Sequence, residues 1–268
     1  MKNQYFGDIN DYRKYGLLRA IISATKFRPL VAWMLTPDDG SRDGEITGYL
    51  QNAKRWKDFD KPLFEELERL LSSSEDRSVA LIEQTSLFER CAYFSEQVPD
   101  DKDERTGWFL RLLQLAKAHD LVFLDPDNGL EVKSRPYGRR NSSKHLFWRE
   151  VASLWSAGKS LLIYQHLPFY EKRLTFIQRR LKELQAATPH SFVEAFSTPN
   201  VVFLMALQPE HSHYHGPIVK EVQERWSGQI KHWELTRTPL PTKQTVNTGG
   251  ALAHLKVLDL SRVLAGPW

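Results

Sequence analysis

The sequence predicts an α/β fold, a mostly parallel sheet with helices on both faces and a C-terminal antiparallel hairpin. Two observations carry this. Short apolar runs alternate with stretches whose apolar residues recur every three or four positions, as when strands and helices alternate along the chain and the sheet is buried between helices. Near the end, 192–196 and 201–206 flank Ser197-Thr198-Pro199-Asn200, a short turn suited to a hairpin.

Taken in order, Tyr15, Leu18 and Ile22 fall at helical spacing, and Pro29–Leu35 (PLVAWML) reads as the first strand. Asp60 and Pro62 open a helix carrying Phe64, Leu67 and Leu71, and Ser78–Glu83 reads as a second strand. Trp108, Leu112 and Ala116 mark a helix leading into Leu121–Leu124, four apolar residues in a row, as in a strand buried on both faces. A helix over Phe147, Val151, Leu154 and Trp155 closes near Gly158, ahead of a strand at Ser160–Gln165. Leu174, Ile177, Leu181 and Leu184 form the next helix, the hairpin follows, and Ile218, Val222 and Trp226 form the last.

With 268 residues, 41% of them hydrophobic, the chain can bury one full core. The net charge of +4 permits a polyanionic partner without requiring one. A single cysteine, Cys91, excludes an intrachain disulfide framework. The start Met1-Lys2-Asn3-Gln4 opens no apolar signal segment, and no apolar run reaches membrane-spanning length. These features fit a cytoplasmic protein with no membrane association.

The chemistry concentrates where the buried strand ends. Asp120-Leu121-Val122-Phe123-Leu124-Asp125-Pro126-Asp127-Asn128-Gly129-Leu130-Glu131 drives an apolar run into a turn with three carboxylates and an amide. Open α/β sheets bind ligands at the carboxyl ends of their strands, and crowded acids there call for a positive or proton-donating partner. His166 ends the strand after this motif, where it can serve the same cleft as a proton acceptor or substrate contact, or merely satisfy a strand end.

The alternation of elements, with Asp125-Pro126-Asp127-Asn128 after the Leu121–Leu124 strand, resembles the Rossmann-like class I S-adenosylmethionine-dependent methyltransferases over roughly residues 5 to 230. The family motif there is Asp/Asn-Pro-Pro-aromatic, so positions one and two match and three and four depart. The resemblance implies that Asp125 and the Pro126 carbonyl accept hydrogen bonds from a target amine. It also places Glu83 on the cofactor ribose, and Asp38 and Gly40 near the methionine moiety, although no G-x-G-x-x-G is present. An acid ending a strand is also a common helix cap, and Asp38-Asp39-Gly40 a common loop. The segment Tyr5–Tyr15 is similar to the one preceding strand one in ribosomal RNA adenine-N6 methyltransferases, with Asn10, Asp11, Lys14 and Tyr15 as the equivalents, which implies that Lys14 lies near the cofactor. The same segment reads equally as a capped helix start.

Beyond the motif, Lys133, Arg135, Arg139, Arg140, Lys144 and Arg149 occur with no acid between Val132 and Arg149, and Tyr137 is interleaved. A mobile basic loop with an aromatic beside an acidic site suits a nucleic-acid substrate; a solvated loop is the plainer alternative. Asn141-Ser142-Ser143 is expected to cap the following helix.

Two other readings remain open. Pro126-Asp127 with Glu131-Val132-Lys133 imitates the Pro-Asp…Glu-x-Lys signature of a nuclease family. Asp125, Asp127 and Glu131 would then bind Mg²⁺, with Lys133 beside the attacking water, in a nuclease or phosphoesterase. The other is an inactive module that binds nucleic acid through the basic loop. His211, His213 and His215 alternate, and on an extended chain would face one way as metal ligands, although flanking Pro and Gly favour a solvated connection. No resident metal is expected under the leading reading.

Three regions are expected: an α/β domain at 1–236, a polar linker at 237–254 and a terminal fragment at 255–268. Leu255–Trp268 resembles the first residues of class III CoA-transferases but ends before that family's catalytic aspartate, so it implies a fusion or truncation fragment that packs poorly.

Overall fold

The structure, a computed structural model, describes residues 1–40, 44–74 and 76–236. The expected linker at 237–254 and terminal fragment at 255–268 lie outside the described residues. Met1–Leu235 cluster as one compact unit.

Short polar side chains start several helices where the sequence places them. Asp8 accepts from the N–H groups of Asn10 and Asp11 to open α1 (Ile9–Ala24), and β1 (Pro29–Ala32) follows. After a single-turn helix, α2 (Ala53–Trp56), Asp60 accepts from Leu63 N–H to open α3 (Lys61–Ser73), whose first turn holds Pro62. Then come α4 (Ala80–Glu83), β2 (Ala92–Phe94), and α5 (Lys102–Ala116) with Asp101 as its cap. The central strand β3 (Leu121–Leu124) precedes two short strands, β4 (Gly129–Leu130) and β5 (His145–Leu146). The chain continues through α6 (Trp148–Ser156), β6 (Ser160–His166) and α7 (Arg173–Ala187) to the hairpin β7 (Phe192–Ser197) and β8 (Val201–Leu207). It ends with α8 (His215–Trp226) and β9 (Lys231–Glu234).

The main sheet has the order β2-β1-β3-β6-β8-β7-β9. Strands β2, β1, β3 and β6 run parallel, and β8 is antiparallel to both β6 and β7. The hairpin therefore does not simply add an edge. Its second strand inserts between β6 and β7, and the edge is β9, paired antiparallel with β7.

Alternate side chains of the central strands enter opposite layers. Val31 and Phe123 pack with residues of α1, α3 and α8; Leu30, Ala32, Val122 and Leu124 pack with residues of α5, α6 and α7. Burying each of these Val, Leu and Phe side chains fully stabilises the fold by roughly 1.5–3 kcal/mol. Helix α1 is buried on most of its faces, including Asp11, Arg13 and Lys14. It approaches α8 closely because residue 16 is glycine: a Cβ there would lie 1.8 Å from the Trp226 indole.

Several sequence expectations are corrected. Ser78–Glu83 is not a strand: the Ser78 hydroxyl accepts from Ala80 N–H, and the chain turns into α4. A short apolar run does not distinguish strand from helix by period alone, and the true second strand is the shorter Ala92–Phe94. The first strand stops at Ala32, and Met34 takes a left-handed backbone at φ 47°. Residues 141–143 do not cap α6; Ser142–Lys144 form a separate 3-10 turn. The first N–H groups of α6 meet acids instead, Trp148 N–H reaching Glu131 and Phe147 N–H reaching Glu150. Among the described residues, no helix is long and apolar enough to cross a membrane.

Candidate active site

A cleft of about 790 Å³ opens at the carboxyl ends of β3 and β6. One wall is the start of α1, with Asp8, Asn10, Asp11 and Lys14. The floor carries Asp125, Pro126, Asp127 and Asn128. The far wall is Tyr164, His166 and the 167–171 segment, closed by Pro199 and Asn200 of the hairpin turn.

An ionic triad organises the floor. The Lys14 ammonium donates to Asp11 Oδ1 at 2.8 Å and to Asp125 Oδ2 at 2.7 Å, and all three groups are buried. Asp11 also accepts from the Tyr15 hydroxyl and from Gly7 N–H. Burial opposes the charge on Lys14, but Asp11 and Asp125 outweigh it and hold its pKa above the ordinary lysine value. Burial raises the Asp125 pKa, and Lys14 opposes that rise without cancelling it. Burial together with the charge of Asp11 pushes Asp8 up to about 7. Tyr164 stands beneath the Lys14 ammonium, 5.1 Å from its ring centroid, and its phenol is held protonated by burial.

Asp127 is buried, and its Oδ1 accepts no hydrogen bond from the described residues. Three cations surround it loosely: the Met1 amine at 4.0 Å, Lys2 Nζ at 3.9 Å and Lys144 Nζ at 3.6 Å. Asn10 Oδ1 is also buried and unsatisfied. A buried acceptor without a donor costs about 1–3 kcal/mol, so these two atoms are standing acceptors at the cleft. Asn128 is exposed on the turn, which Gly129 completes at φ +99° with Gln165 packed so closely that a Cβ would meet its amide at 2.5 Å. His166 stands exposed at the mouth with its ring edge-on to Tyr164; desolvation by the cleft walls lowers its pKa.

The structure thus brings together Asp125, Pro126, Asp127, Asn128, His166 and Lys14, and leaves out the other expected cofactor residues. Glu83 lies on α4, where its carboxylate accepts from the Trp33 indole at 2.7 Å and the Ser95 hydroxyl at 2.6 Å. It holds β1 to its neighbours and does not line the cleft. Asp38 accepts from Gln4 N–H on the exposed loop after β1, and Gly40 projects beside it; neither lines the cleft.

The basic segment is anchored at its C-terminal end. Arg105 is fully buried, holds Glu150 through two bonds of 2.8 and 2.9 Å, and donates to the carbonyls of Ser142 and His145. Asp100 accepts from the N–H groups of Asn141 and Ser143. Lys133, Arg135 and Tyr137 line a second groove with Arg149, Arg179 and Arg180. Lys144 points to Asp127, and Arg139 and Arg140 are exposed outside both clefts. Tyr170 lines both grooves. It and Phe169 are almost wholly solvent-exposed, at 91% and 107%, a signal present in the sequence only as an aromatic pair before Lys172-Arg173.

The metal-bound alternative does not fit this geometry. Glu131 caps α6 and Lys133 lies in the second groove. Among the described residues, Asp125, Asp127 and Glu131 do not converge within 4.8 Å. The alternating histidines also diverge: His211 pairs with Ser160, His213 with its own turn and His215 with Glu194. They ride a 3-10 helix, Pro209–Tyr214, and the start of α8 rather than an extended chain.

No protein-family model matches the chain, and no curated protein matches it.

Proposed function

We propose that the protein is an S-adenosylmethionine-dependent methyltransferase acting on an amine, with a single-stranded nucleic-acid base as the acceptor. The observation that carries this reading is the Lys14–Asp125 contact. The two segments that separately resemble methyltransferases, 10–15 and 125–128, meet at 2.7 Å in one cleft. An antiparallel strand inserted between two parallel neighbours agrees with the same resemblance.

The donor set suits the cofactor. Asp127 Oδ1 and Asn10 Oδ1, buried acceptors without a hydrogen-bond donor, would take its ammonium or hydroxyl hydrogens, and the aromatic wall would face its apolar parts. When bound, the cofactor supplies an electrophilic methyl group. The chain's own residues do the rest. Asp125 and the Pro126 carbonyl accept the amine hydrogens and orient its lone pair, and Lys14 fixes the Asp125 rotamer. Its raised pKa makes the Asp125 carboxylate the better acceptor for the proton the amine gives up. The stacking aromatic that the motif lacks at Asn128 comes from Phe169 and Tyr170, on the loop after β6. Lys133, Arg135 and Arg149 would hold the phosphates, while Arg179 and Arg180 in the same groove pair with Glu183.

Transfer of a radiolabelled methyl group from S-adenosylmethionine to single-stranded RNA and DNA oligonucleotides of mixed sequence tests this. Counts in the nucleic acid that disappear in Asp125→Ala are expected. Salt-sensitive oligonucleotide binding with no counts in any acceptor would leave only a binding module.

A further inference from the structure

Away from the cleft, three side chains from three elements converge beneath the edge of the sheet. Glu194 on β7 is fully buried, and its Oε2 accepts from His215 Nδ1 at 2.9 Å and His232 Nε2 at 2.8 Å. His215 begins α8 and His232 belongs to β9. The register explains the meeting: Phe196 stands opposite His232 and Glu194 opposite Glu234, so Glu194 and His232 are diagonal neighbours on one sheet face.

A buried carboxylate shared by two imidazoles is explained either by hydrogen bonds from their ring N–H groups, neutral or protonated, or by a metal ion. Glu194 Oε1 distinguishes them. It is buried and accepts no hydrogen bond from the described residues, although a network built only to neutralise Glu194 would be expected to satisfy both oxygens. The three ligand atoms lie within 4.8 Å of one another. Around an ion bound tetrahedrally at about 2.0–2.1 Å, donors stand about 3.3 Å apart, so the contacts of 2.8 and 2.9 Å need open by only about half an ångström. The far nitrogen of His215 faces Glu234 Oε1 at 3.6 Å, the carboxylate placement that orients a metal-bound imidazole.

We infer that Glu194, His215 and His232 form a Zn²⁺ site, with water in the fourth position. Two imidazoles and one carboxylate are a donor set for zinc rather than for Mg²⁺ or Ca²⁺. The ion joins β9 and the start of α8 to β7. None of its ligands lines the candidate active site, so the ion lies apart from that cleft.

The test is metal binding by the full chain and by the His215→Gln/His232→Gln double variant, with Zn²⁺ and Co²⁺ salts as the probes. After stripping with chelator, reloading and dialysis, the wild-type chain is expected to retain one equivalent of Zn²⁺. Its Co²⁺ form is expected to show the visible bands of a tetrahedral centre, and Zn²⁺ to raise its melting temperature. The double variant should bind at least tenfold more weakly and lose the Co²⁺ bands. Glu194→Gln, which keeps the size of the buried side chain, should weaken binding in the same direction if it folds. Retention below a tenth of an equivalent by the wild type would overturn the assignment. So would equal binding by the double variant, which would put the metal elsewhere.

Discussion

The Lys14 ammonium and the Asp125 carboxylate, 111 residues apart in sequence, are joined at 2.7 Å with both groups out of water. Removing one member leaves an uncompensated buried charge, which costs about 3–5 kcal/mol. Lys14→Met should therefore lower the unfolding free energy by that amount in urea denaturation. Adding Asp125→Leu to Lys14→Met should cost less than the two single losses together, because the pair is directly coupled. Strict additivity would show that the contact does not form.

Asp8 gives the stability a pH dependence of definite sign. Its folded pKa, about 7, lies above the ordinary value of 3.8, because burial and Asp11 disfavour the carboxylate. Across that window the folded state binds more protons than the unfolded one, so the contribution is complete below about pH 4 and is lost as pH rises through 7. Asp8→Asn keeps a competent helix cap and should flatten this part of the stability profile between pH 4 and 7. An unchanged slope would refute the assignment to Asp8.

At the α1–α8 crossing, Gly16→Ala forces a methyl group into the Trp226 ring. Overpacking of this kind costs about 1–3 kcal/mol and more where the backbone cannot move. Thermal melting should show the loss, and Trp226→Leu in the same chain should recover part of it.

The exposed aromatic pair makes a separate demand on binding. Stacking contributes about 1–3 kcal/mol per base, so Phe169→Ala and Tyr170→Ala should each weaken single-stranded oligonucleotide binding by roughly 5- to 150-fold with little change in stability. Lys133→Gln should instead reduce the slope of log affinity against log salt by about one. Fluorescence anisotropy over a salt series separates the two effects.

Much of the fold is legible in the sequence because period and capping agree: Asp60 with Pro62, the Leu121–Leu124 run and the Ser197–Asn200 turn each place an element correctly. Ser78–Glu83 misleads because six mostly apolar residues satisfy either period, and β9 escapes notice because Lys231–Glu234 shows little apolar signal. In the site, the carboxylates of the 125–127 turn are visible as a motif. The burial of Lys14 is not, since a helical lysine is ordinarily solvated. Nor does sequence show that Glu83 is engaged by Trp33 and Ser95, which depends on contacts across 50 and 12 residues. The sequence leaves the cap of the first helix to Asp8 or Asn10; Asp8 is the cap, while also lining the cleft.

Titrating the purified protein with S-adenosylmethionine in a calorimeter shows most directly whether this cleft is a cofactor site. Saturable binding of one molecule per chain is expected, weakened at least tenfold by Asp127→Ala, which removes the acceptor that lacks a hydrogen-bond donor. Absence of binding at millimolar cofactor would contradict the assignment.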